Sequence, residues 1–128
     1  MGQPAAKQGD KITAMDQHDI VTPSGATLPA KPHPFAGIIN GGLSSNVKIM
    51  GLPAATKNST ADNTPIHVPD GGTFAKPPTN KGTIIIGSAT VLINGKPAAR
   101  NGDTAMTCND PTDLPKGKVV AVGTVNIG

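Results

Sequence analysis

Three tetrapeptides, Pro4-Ala5-Ala6-Lys7, Pro53-Ala54-Ala55-Thr56 and Pro97-Ala98-Ala99-Arg100, mark related units in this 128-residue chain. Each opens a loop that leads to a good transition-metal ligand. His18 lies fourteen positions past Pro4, His67 fourteen past Pro53, and Cys108 eleven past Pro97. In a repeat architecture each unit is one supersecondary element that buries its apolar face against its neighbours. Three units delivering one ligand each predict a pseudo-three-fold scaffold gathered around a single ion.

The clearest internal match sets Asn46-Val47-Lys48-Ile49-Met50-Gly51-Leu52-Pro53-Ala54-Ala55 beside Thr90-Val91-Leu92-Ile93-Asn94-Gly95-Lys96-Pro97-Ala98-Ala99, at a constant offset of 44. The alternation of Val47 with Ile49, and of Val91 with Ile93, reads as short strands with one buried face. Gly51 and Gly95 then supply a tight turn, where a positive φ carries no steric penalty for glycine. The first unit keeps only Gly2-Gln3-Pro4-Ala5-Ala6, so its leading strand is missing. Val125 and Ile127 are the expected replacement, closing the chain on itself as one domain, 1–128, with units of about 1–40, 41–85 and 86–128. Lys116-Gly117-Lys118-Val119-Val120 also echoes Lys81-Gly82-Thr83-Ile84-Ile85.

Five residues after each proline comes a turn, Gly9-Asp10, Asn58-Ser59 or Gly102-Asp103. Asp10 and Asp103 are expected to brace these loops by accepting nearby backbone N–H groups. The connectors around Pro23, Pro29, Pro32 and Pro34, and around Pro69, Pro77 and Pro78, exclude helix. No segment carries a sustained 3.6-residue apolar period. The fold expected is therefore all-β, a small body with long, stiff Pro/Gly-rich loops.

Composition limits what this body can be. There are 16 Gly and 13 Pro, no Trp or Tyr, and only Phe35 and Phe74, so the core must pack small and β-branched side chains. The formal net charge of +3 is mild, and its Lys and Arg are scattered without interleaved aromatics, which argues against a nucleic-acid surface. No apolar run approaches membrane-spanning length. The opening residues lack the apolar stretch of a signal peptide. The single cysteine permits no internal disulfide and fits assembly in a reducing cytoplasm.

All three histidines and the only cysteine are the candidate ligands: His18, His33, His67 and Cys108. His33 breaks the repeat register but is pinned between Pro32 and Pro34, which lowers the entropy cost of presenting its ring. Neutral imidazoles and one thiolate suit tetrahedral zinc, with iron the alternative. Four protein ligands close the site, which reads as structural. A metal-dependent hydrolase is the competing function. It needs an open coordination position and a carboxylate such as Asp16, Asp19 or Asp110 as base.

The run Gly87-Ser88-Ala89-Thr90-Val91-Leu92-Ile93-Asn94, followed by Gly95-Lys96-Pro97-Ala98-Ala99-Arg100-Asn101-Gly102-Asp103, resembles the signature of PAAR-repeat proteins. Pro32-His33-Pro34-Phe35 and the positions of His18 and Cys108 fit the same family. The second unit departs from it, with Thr56 for the basic residue and Asn58-Ser59 for Gly-Asp. The resemblance implies a conical β-protein that sharpens the tip of a contractile injection machine: a type VI secretion system, a phage-tail-like particle or a phage tail. It implies a metal near the vertex held by His and Cys, here His18, His33, His67 and Cys108. It also implies a base seated on the blunt end of a trimeric spike of the valine-glycine-repeat or phage-spike type. One monomeric tip would cap one trimer, assembled in the bacterial cytoplasm and exported on the machine, with effectors as possible cargo. The chain ends at Ile127-Gly128 and resembles a stand-alone tip that breaches a membrane mechanically.

Overall fold

The computed structural model describes residues 2–69 and 71–128; Met1 of the opening segment and Asp70 of the second connector lie outside the described residues. The described chain is all-β. In order the strands are β1 (Gln3–Pro4), β2 (Lys11–Val21), β3 (Thr27–Gly41), β4 (Lys48–Ile49), β5 (Leu52–Pro53), β6 (Thr60–Asn63) and β7 (Thr73–Phe74). They continue with β8 (Lys81–Ile84), β9 (Leu92–Ile93), β10 (Lys96–Pro97), β11 (Thr104–Thr107), β12 (Leu114–Val120) and β13 (Asn126–Ile127).

Three antiparallel pairs, β2–β3, β6–β8 and β11–β12, stand side by side in the order β12-β11-β8-β6-β3-β2. The pairing of β12 with β2 closes them into a six-stranded barrel. Closure leaves no open sheet edge along this wall. Three two-stranded ladders lie outside the barrel: β4–β5, β9–β10 and β1–β13. In the last, Gln3 faces Ile127 and Pro4 faces Asn126, so the strand that the first unit lacks comes from the far end of the chain. The other two ladders turn at Met50-Gly51 and Asn94-Gly95, where both central residues have positive φ (52° and 84°, 55° and 79°). That is the type I′ geometry whose twist matches the flanking strands, and Asn-Gly is its preferred pair.

The tetrapeptide loops interlock where ladders meet barrel. Ala6 N–H donates to Ala99 (2.9 Å), Ala99 to Ala55 (3.1 Å) and Ala55 to Ala6 (3.0 Å), a closed triangle of backbone bonds between the three units. These three alanines are fully buried, as are Ala54 and Ala98 beside them. A larger side chain would hold the backbones apart, which is the physical reason for the paired alanines. The triangle divides two cores. One, between the ladders, contains Ile49, Ile93 and Ile127; the other, inside the barrel, contains Ile12, Phe35, Ile39, Ile84 and Val119.

Each loop is braced in the same way. The backbone N–H of Lys7 donates to Asp10 (3.0 Å), that of Thr56 to Ser59 (2.9 Å) and that of Arg100 to Asp103 (2.7 Å). The neutral Thr56/Ser59 pair thus reproduces the backbone geometry of the ionic ones. Arg100 also forks onto Asp103 (2.9 Å from Nη2), and this bond is the main cause that raises the guanidinium's pKa. Replacing Asp103 with Ala is expected to cost about 1–3 kcal/mol, because the Arg100 N–H loses its acceptor. Asp103→Ser keeps that acceptor and should recover part of the loss in chemical denaturation. Equal stabilities of wild type and Asp103→Ala would dismiss the brace.

One connector differs from its expected form. The segment holding Pro29, Pro32 and Pro34 is not a loop but the outer half of β3, paired with β2 from Thr27 onward. Prolines are tolerated there because β6 joins β3 only from Gly37, so that half of the strand has a free edge needing no donors.

Candidate metal centre

The β2–β3 hairpin outreaches the other two barrel hairpins, and the side chains on its inner face build a polar cluster beyond the barrel core. Along β2 the alternation places Ile12, Asp16, His18 and Ile20 on one buried face. Asp16 pairs across the ladder with His33 on β3. His67 arrives from the segment between β6 and β7, and Cys108 immediately follows β11. Ligand atoms of Asp16, His18, His67 and Cys108 all lie within 4.8 Å of one another. His33 stands beside them, with ring centroids 5.4 Å from His18 and 5.5 Å from His67. The structure therefore brings His18, His67 and Cys108 together with Asp16, while His33 lies outside that four-residue group.

The imidazoles are oriented from outside. His33 Nδ1 bonds the Lys31 carbonyl oxygen at 2.8 Å, which fixes the proton on Nδ1 and leaves a lone pair on Nε2. Among the described residues that buried Nε2 has no hydrogen-bond partner, and neither has His18 Nδ1. The Asn63 amide nitrogen lies 3.3 Å from His67 Nδ1, while Nε2 turns to Asp16 Oδ2 at 2.9 Å. His18 Nε2 lies 3.7 Å from Cys108 Sγ, and Asp110 Oδ1 stands 3.5 Å from its Nδ1, too long for a good hydrogen bond. Burial lowers the His18 pKa, with Asp110 opposing, so the ring is neutral near pH 7. Burial, then the charge of Asp16, pushes the Cys108 thiol up to about 11.

These donors fit a transition-metal cation. A tetrahedral ion with bonds of about 2.0–2.3 Å separates its ligands by about 3.3–3.6 Å. The contacts from Cys108 Sγ, 3.7 Å to His18 Nε2 and 3.5 Å to Asp16 Oδ2, lie close to that spacing. A buried Nε2 without a hydrogen-bond partner among the described residues keeps its lone pair free to accept a metal ion. The cluster can hold a metal ion; its donor types favour zinc or iron over magnesium or calcium.

Residues 75–128 match the family model for the PAAR motif, a stretch that holds the third tetrapeptide and Cys108. This match supports a PAAR-repeat family protein. No curated protein matches it. The PAAR motif points to a spike-tip protein of contractile injection systems. The first two tetrapeptides lie before the matched stretch, yet their loops occupy equivalent places in the alanine triangle.

Both phenylalanines flank the cluster. Phe74 packs on His18 and His33 (centroids 5.5 and 5.4 Å), and Phe35 lies 6.1 Å from His67 on the barrel side. Apolar rings beside the histidines lower the local polarity and strengthen electrostatics there. Of the three carboxylates that a hydrolase could use, Asp16 lies within the cluster and the other two are engaged elsewhere. Asp19 Oδ1 accepts from Ala30 N–H (2.9 Å) and Asp110 Oδ2 from Asp19 N–H (2.8 Å), both in loop-bracing roles. The family match gives no support to the hydrolase alternative.

Proposed function

We propose that this PAAR protein is a non-enzymatic, metal-stabilised tip that caps a trimeric β-helical spike of a contractile injection system and sharpens it for membrane piercing. The observation that carries this reading is the triangle formed by Ala6, Ala55 and Ala99, with three two-stranded ladders arranged around it. A single chain with three equivalent faces can match the axis of a true homotrimer, each unit meeting one protomer. Exposed Met50, Leu52, Leu92 and Val125 lie on or beside those ladders and supply apolar contact area. The ladder edges can continue the spike's β structure. At the other end, one cation held by His18, His33, His67 and Cys108 would tie together segments distant in sequence and stiffen the apex. Zinc suits that donor set best, with iron the alternative. In this reading the protein is assembled in the bacterial cytoplasm, leaves on the machine, and has room on its flanks for effector proteins.

The test is stoichiometry. Mixing with candidate trimeric spike proteins, followed by mass measurement of the complex, should give one PAAR chain per trimer. Three per trimer, or no complex with any spike from contractile systems, would reject the capping role.

A further inference from the structure

Given the cation proposed above, we infer that Asp16 is a fifth ligand of this centre, its Oδ2 joining His18, His33, His67 and Cys108 in the inner shell. Asp16 is fully buried, and among the described residues no Lys or Arg pairs with it. Its one ion-pair candidate is the His67 ring, and a divalent cation in this pocket would balance the carboxylate more fully than that ring alone. The charges then balance: two positive on the ion, one negative each on Asp16 and the Cys108 thiolate.

The carboxylate is also held as a ligand is held. Oδ1 accepts from the Thr107 hydroxyl and from Asn109 Nδ2 (3.4 Å), which anchors that oxygen away from the centre. Oδ2 is left facing inward, 2.9 Å from His67 Nε2 and 3.5 Å from Cys108 Sγ. Ligating carboxylates are commonly fixed in this way through their second oxygen.

The competing role is that of an outer carboxylate that merely orients a histidine. Such a group sits on the ring nitrogen opposite the metal. Asp110 has that placement, beside His18 Nδ1. Asp16 instead faces the Nε2 of His67, the same nitrogen that faces the cluster, while Nδ1 is met by Asn63. A cation bound at His67 Nε2 requires the ring's proton on Nδ1, so the Asn63 amide turns its oxygen toward that nitrogen.

Substitution with cobalt(II) tests this without relying on activity. Wild-type protein loaded with cobalt(II) should show the weak visible bands of a five-coordinate ion, together with a thiolate charge-transfer band from Cys108. Asp16→Leu fills a similar volume without a donor, so its bands should intensify several-fold as the ion becomes tetrahedral. Affinity alone does not decide, because losing an outer-shell partner also costs about 10–100-fold. Intense tetrahedral bands in wild type, unchanged in Asp16→Leu, would place Asp16 outside the shell and overturn the inference while leaving the metal centre intact. Absence of any charge-transfer band in wild type would overturn both. If Asp16→Leu fails to fold, infrared difference spectra of wild type carrying carbon-13-labelled aspartate decide instead. Zinc should shift a carboxylate stretch, and no shift refutes ligation.

Discussion

Stripping the cation with a strong chelator is expected to lower the melting temperature of this protein by more than about 20 °C, since structural zinc is worth on the order of 10 kcal/mol to a small domain. The size of the effect follows from what the ion would join. His18 and His33 lie on the long β2–β3 hairpin, His67 comes from the segment after β6, and Cys108 follows β11. Without a cation these segments meet through a buried thiol and two imidazole nitrogens, His18 Nδ1 and His33 Nε2, that have no hydrogen-bond partner among the described residues. Cys108→Ser should reproduce most of the loss and weaken retention. The thiol also sets a pH dependence. Its pKa is pushed up to about 11, so near neutrality it is protonated until a cation displaces the proton. Apparent affinity should therefore rise about ten-fold per pH unit through neutrality for that one proton. Chelator competition between pH 6.5 and 8.5 measures the slope. A melting temperature indifferent to chelator, or a flat affinity profile, would remove Cys108 and the ion from the argument.

Much of this architecture was legible because repetition constrains it. The truncated first unit announced that another segment must complete it, and the ladder between β1 and β13 does so. The braces were legible too, since Asp10 and Asp103 sit at matching steps past their prolines. The long hairpin was not. Three prolines in a short span normally break a strand, and only the free edge of β3, a tertiary fact, accommodates them. Asp16 was not legible as a ligand for a related reason. The step past the brace that reaches Asp16 in the first unit reaches Pro65 and Asn109 in the others, so it has no repeat partner. The available signal was strand alternation: Asp16 and His18, two apart, must share a face. Residue type drew attention to His and Cys; geometry drew the carboxylate in.

Phe35→Ala is expected to cost about 3–5 kcal/mol, the range for deleting a buried phenylalanine ring. Its setting places it at the upper end. The ring is nearly inaccessible and lies between the barrel core and the histidines, so its loss opens both. A pseudo-three-fold interior has room for one such ring and not three. The chain resolves this with Gly37, Gly82 and Gly117, which occupy equivalent places on β3, β8 and β12. A Cβ on Gly37 would come within 2.7 Å of the Phe35 ring, and one on Gly82 within 3.2 Å. That geometry makes the effect of Gly82→Ala depend on the ring. In wild type the added methyl crowds Phe35 and should destabilise; in Phe35→Ala it enters the vacated space and should stabilise. Denaturant titration of the four proteins in this cycle should give a coupling of at least about 1 kcal/mol, well beyond the additivity expected of independent sites. Additive effects would mean that the glycines are small for some other reason, and a cost below about 1 kcal/mol for Phe35→Ala would mean that the barrel collapses around the gap. Because the same ring packs on His67 of the candidate metal centre, Phe35→Ala should also release bound cation to chelator faster than wild type.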